Sequence, residues 1–139
     1  KESLWICIRQ DVEWWAENPC LYFEINPDGV HYGCFFWHPK PLKMEDFRRE
    51  IARDPETFLR MIDQVEAATG VRVTAEEYKR PKPCADPRLE RFYKWKSGIA
   101  CTVHEEFSEA TFGPELGDRV RDFLVAAMPL MEYMEKFGV

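Results

Sequence analysis

The stretch CLYFEINPDGVHYGCFFW, residues 20–37, decides the fold. Cys20 to Ile25 alternates in the two-residue period of a half-buried strand. Asn26 to Gly29, NPDG, is a turn: Pro27 suits the first corner, Asp28 the second, and Gly29 the left-handed position that makes a bulge. Val30 to Trp37 is the returning strand, so residues 20–37 are predicted to be a β-hairpin. With Gly29 as a bulge, Ile25 should lie near His31, Phe23 near Gly33 and Leu21 near Phe35. One face would then carry Leu21, Phe23, Ile25, Gly33, Phe35 and Trp37, with His31 at its tip, and would be core. The other face would carry Tyr22, Glu24, Val30, Tyr32, Cys34 and Phe36 and would be mixed. Glu24 would sit beside Tyr32 and Tyr22 beside Cys34.

His31, Cys34 and His38 look like a metal or nucleophile cluster along the string. Successive strand side chains point to opposite faces, so His31 and Cys34 diverge, and four residues separate Cys34 from His38 by ~13 Å. Zinc needs its ligands at about 2.0–2.3 Å from one point. No metal is expected there. No base stands beside Cys34 in its own strand, and Cys101 and His104 fail the same parity test. There is no Gly-rich phosphate loop, no HExxH helix and no Ser-His-Asp order, so no cofactor is implied. Glu24, on a partly apolar face, is either an acid or acceptor for a ligand or a solvated carboxylate lying on a tyrosine ring.

Around the hairpin the periods change. Ser3 to Arg9 alternates as a strand, followed by the polar connector QDVEWWAENP. Adjacent Trp14 and Trp15 cannot both bury unless that connector folds back. After HPKP the period becomes helical, with Met44, Phe47 and Ile51 on one side. Asp54-Pro55 restarts a helix as N-cap and first helical residue. Phe58, Met61, Ile62 and Val65 form its stripe, and Gly70 ends it. VRVTAEEYKR is more extended than helical, PKPCADP is a rigid connector, and Asp86-Pro87 opens a short helix to about Tyr93. Ile99, Cys101 and Val103 alternate with Ala100, Thr102 and His104 as a further strand. Leu116, Val120, Phe123 or Leu124, Ala127, Met131 and Met134 recur along a long terminal helix that Pro129 should kink or divide. The expected class is α+β, an antiparallel sheet packed by helices.

The 139 residues suit a single domain, and 45% hydrophobic with 14% aromatic content favours a packed core over disorder. No apolar run approaches the ~20 residues that span a bilayer, so no membrane role is expected. The five cysteines are odd in number and lack zinc-knuckle spacing, which reads as buried reduced thiols in a cytoplasmic protein. The net charge of −6 argues against general nucleic-acid binding. The charge is uneven: Lys79 to Lys96 holds seven basic residues against two acidic, a local +5. Lys79, Arg80, Lys94 and Lys96 interleave there with Tyr78, Phe92, Tyr93 and Trp95, a pattern that either clamps an anion or packs rings inward and points cations out.

The order of these features resembles a widespread, mostly bacterial family of conserved hypothetical proteins catalogued only as a domain of unknown function. The resemblance is carried by the hairpin, the two-part helical middle, YKRPKP, DPRLERFYKWKS and the terminal AAMPLMEYM. It implies an N-terminal portion ending in Pro-Tyr-Lys, with Lys1 as that lysine, and no established activity. Two functional readings follow from the residues. In the first, Tyr78, Lys79, Arg80, Lys94, Trp95 and Lys96, with Glu24 and Tyr32, bind a small anionic ligand, with or without catalysis. In the second, the domain is an interaction or homo-oligomerisation module using an aromatic sheet face or the Met-rich terminal helix.

Overall fold

The computed structural model describes residues 2–139; Lys1 lies outside the described residues. Five strands, β1 (Leu4–Ile8), β2 (Cys20–Asn26), β3 (Gly29–Phe36), β4 (Thr74–Glu77) and β5 (Trp95–Glu105), form one antiparallel sheet. Their order is β1-β2-β3-β5-β4. Helices α1 (Pro41–Arg53) and α2 (Pro55–Thr69) link β3 to the edge strand β4. A four-residue helix, α3 (Glu90–Tyr93), precedes β5, and α4 (Glu115–Met134) closes the chain. The expected α+β class is what the chain adopts. The ambiguous segment after Gly70 does contain a strand. Pro129 removes one ladder hydrogen bond from α4, but the helix continues through it to Met134.

Helix boundaries follow local chemistry. The Asp54 carboxylate accepts the Thr57 N–H at 3.3 Å and the Thr57 hydroxyl at 2.7 Å, starting α2. Gly70 ends α2 with a left-handed φ of 71°.

The hairpin departs from expectation by one residue. Gly29 is not a bulge: it pairs directly with Asn26, leaving a two-residue loop of Pro27 and Asp28. The Asn26 side chain accepts the Asp28 N–H at 2.8 Å and tightens the turn. The register is therefore Ile25 with Val30, Glu24 with His31, Phe23 with Tyr32, Tyr22 with Gly33 and Leu21 with Cys34. A one-residue slip reverses a whole strand. Val30, Tyr32, Cys34 and Phe36 are core, whereas Gly33, Phe35 and Trp37 face away from it.

The helices cover one side of this sheet. Leu21, Val30, Cys34, Phe36, Ile99 and Cys101 pack with Met44, Phe47, Phe58, Ile62, Ala127 and Leu130 in a single buried cluster. At its centre Trp95 lies parallel to Phe47 (5.8 Å, 4°) and edge-on to Phe92 (5.0 Å, 83°). No helix among the described residues is long and apolar enough to cross a membrane.

Candidate functional site

The pairing rows place Trp5, Glu24, His31 and His104 on the side of the sheet away from the helices. Cys7, Tyr22, Gly33 and Thr102 form the next row on that side. Trp15 arrives from the connector, whose 3-10 turn (Trp15–Glu17) brings the indole to 5.7 Å from Trp5. Trp37 continues past the end of β3 and meets Phe35 edge-on at 5.2 Å. Phe35 in turn lies 6.4 Å from Tyr22.

These side chains enclose a recess of about 350 Å³ lined by Ser3, Trp5, Trp15, Cys20, Tyr22, Glu24, Phe35, Trp37 and Thr102. Five of the nine are aromatic. Trp5, Trp15 and Trp37 remain 44, 42 and 48% exposed, so their ring surfaces stay available. Burial pushes the Tyr22 phenol up to about 12, against a lowering hydrogen bond with Thr102, so it stays neutral. Burial beside Cys7 likewise pushes the Cys20 thiol up to about 12. Glu24 supplies the only carboxylate of the lining. It accepts a long hydrogen bond, 3.4 Å, from Asn26 Nδ2, and no Lys, Arg or His of the described residues pairs with it within 4.0 Å.

The other residues singled out from the sequence are dispersed. Tyr32 lies on the helix side, opposite to Glu24: its hydroxyl donates to Glu105 Oε2 at 2.6 Å and its ring meets Phe123 edge-on. Trp95 is buried in the core and offers no surface to a ligand. Four of the cations of residues 79–96 have separate partners. Arg88 binds Asp86 and Glu56, Arg91 binds Glu66 and the Val73 carbonyl, and Lys96 lies 3.7 Å from Glu76. Lys82 caps the Tyr78 ring at 4.5 Å, with Lys96 at 5.9 Å from the same ring. Lys79 and Arg80 are exposed and Lys94 half-buried. Three of the seven cations, Arg88, Arg91 and Lys96, are thus paired with carboxylates.

His31 stacks on His104 at 4.3 Å and 9°, while Cys34 faces the core, where burial raises its thiol pKa well above the usual value. No group of three His, Cys, Asp or Glu close enough to hold a metal occurs among the described residues.

The class defined so far is an α+β domain with helices on one side of an antiparallel sheet and an aromatic recess on the other. The chain belongs to the family described as "Conserved hypothetical protein (DUF2461)", whose model matches residues 1–133. No curated protein and no solved structure matches it.

Proposed function

We propose that the domain binds a small organic cation, an alkylated or quaternary ammonium compound, in the aromatic recess. The observation that carries this reading is five aromatic rings disposed about one carboxylate, Glu24, that has no cationic partner among the described residues. Aromatic faces are negative and attract a cation by roughly 0.5–2 kcal/mol each as water is removed. A hydrated anion would gain nothing from those faces. The net charge of −6 also favours approach of a cation. This reading differs from the anionic ligand expected of the Tyr78–Lys96 segment, in which Arg88, Arg91 and Lys96 pair with carboxylates.

Tryptophan fluorescence and calorimetric titration with tetramethylammonium, choline and the uncharged choline isostere 3,3-dimethyl-1-butanol test it. The cations should bind and the isostere should be weaker by about tenfold or more. Glu24→Gln should cost a similar factor, and Trp37→Ala should remove most of the binding. Equal affinity for choline and its neutral isostere, or no binding of either ammonium ion, would overturn the reading.

A further inference from the structure

A second recess lies on another part of the molecule, where α1 meets the strap that follows β4. It measures about 270 Å³ and is lined by Glu45, Arg48, Arg49, Lys82, Pro83 and Tyr93. Its lining is rich in cations, in contrast to the recess on the open face. The strap is held by the Lys82 N–H, which donates to the Tyr93 carbonyl at 3.1 Å, and the Tyr93 hydroxyl donates to the Arg48 carbonyl at 3.0 Å. These bonds tie the three contributing segments together.

Arg48 is the unusual member. It is nine-tenths buried, one of very few charged or polar residues so deeply placed. Among the described residues no carboxylate lies within 4.0 Å of it, Glu45 included. Among the described residues its single acceptor is the Trp95 carbonyl, at a long 3.5 Å from Nη1. A guanidinium carries five N–H donors in a planar fork. None of its unpaired nitrogens is fully buried, so the free side of the fork opens into the recess. Neighbouring Arg49 pairs with Asp46, and among the described residues Lys82 has only the Tyr78 ring. The positive charge of the recess is therefore incompletely balanced by protein.

We infer that this recess is a binding site for a small oxyanion, a phosphate or carboxylate group, with Arg48 as the buried fork and Lys82 as a mobile second cation. Arg48 gives planar, directional hydrogen bonds, which suit either oxyanion. Lys82 adds a point charge at the mouth and exchanges the Tyr78 ring for the ligand. The site is independent of the aromatic recess, and its ligand has the opposite charge.

The probes are inorganic phosphate and acetate, followed by thermal unfolding of the full chain at constant ionic strength with chloride as reference. Phosphate, acetate or both should raise the unfolding temperature saturably above chloride. Lys82→Ala should weaken the response several-fold, and Arg48→Met, which keeps the volume and removes the charge, should abolish it. Trp37→Ala, on the other side of the sheet, should leave it unchanged. If Arg48→Met does not fold, Lys82→Ala decides. A rise no greater than chloride gives, a response that survives both substitutions, or one lost in Trp37→Ala would overturn the assignment.

Discussion

Replacing Gly33 by alanine probes the register that organises both sides of the sheet. Gly33 has a φ of +148°, where side chains other than glycine are strained. A Cβ there would stand 2.2 Å from the Cys101 carbonyl oxygen and 2.7 Å from Thr102 Cα. Both obstacles are backbone of β5, so relief requires β3 and β5 to part, not a rotamer to change. Backbone strain of this kind costs ~1–3 kcal/mol, and overpacking another ~1–3 kcal/mol. The expected loss is ~3–5 kcal/mol, a large share of the ~5–15 kcal/mol by which domains are stable. Gly117 provides the control. It lies within α4, exposed, and a Cβ there would meet nothing within 4 Å, so Gly117→Ala should stabilise by ~0.5–1 kcal/mol. The same one-methyl change should thus have opposite signs at two sites, read as urea midpoints with the slope unchanged. Gly33→Ala within about 1 kcal/mol of the parent would mean that Gly33 does not lie against Thr102, and the pairing of β3 with β5 would be wrong.

Other consequences are simpler. Tyr32→Phe removes the hydroxyl that donates to Glu105 at 2.6 Å and should cost about 1–2 kcal/mol in urea unfolding; no loss would show that solvent replaces that bond fully. Acid should destabilise the fold through Glu105 and Glu66. Hydrogen bonds from Arg119 and Tyr32 hold the Glu105 carboxyl below its ordinary value. Burial pushes Glu66 up, but hydrogen bonds from Arg91 and the Val73 N–H outweigh it and lower it. Depressed carboxyls contribute stability that is present above the unfolded value of about 4.3 and lost as pH falls through the folded one. The urea midpoint should therefore drop below about pH 4.3, and Glu66→Gln should flatten that slope; a midpoint independent of pH would contradict it. Under native conditions a thiol reagent should modify the half-buried Cys7 and Cys84 first. Cys20, Cys34 and Cys101, buried and with raised pKa values, should react only on unfolding, as peptide mass spectrometry would show.

Elements were legible in the sequence where one local device decides them. Asp54-Pro55 and Gly70 bound α2 because capping involves only neighbouring backbone. The faces of β3 were not legible, because both are apolar. Val30, Tyr32, Cys34 and Phe36 alternate with Gly33, Phe35 and Trp37, so hydrophobic pattern does not choose between them, and one residue of turn length does. Glu24 stood out on its own strand. The rings around it come from β1, the Trp15 turn, β2 and β3, and only the strand order gathers them. The unusual Trp14-Trp15 pair was the one signal that the connector folds back. In the cationic segment, closeness in sequence was a poor guide, because Glu56, Glu66 and Glu76 are brought to it by α2 and β4.

The division of the aromatic residues between the two sides of the sheet also bears on how binding can be tested. Trp95, Phe47, Phe58 and Phe36 are fully enclosed on the helix side, where truncation would cost ~3–5 kcal/mol and threaten folding. Trp5, Trp15 and Trp37 are nearly half exposed, so each has already forgone much of the free energy that complete burial provides. A fold under selection for stability alone would gain by covering or replacing them. On the proposed reading a ligand covers these three tryptophans around Glu24, which has no cationic partner among the described residues. Because the core lies on the opposite side, the rings can be removed one at a time while the fold that presents them persists.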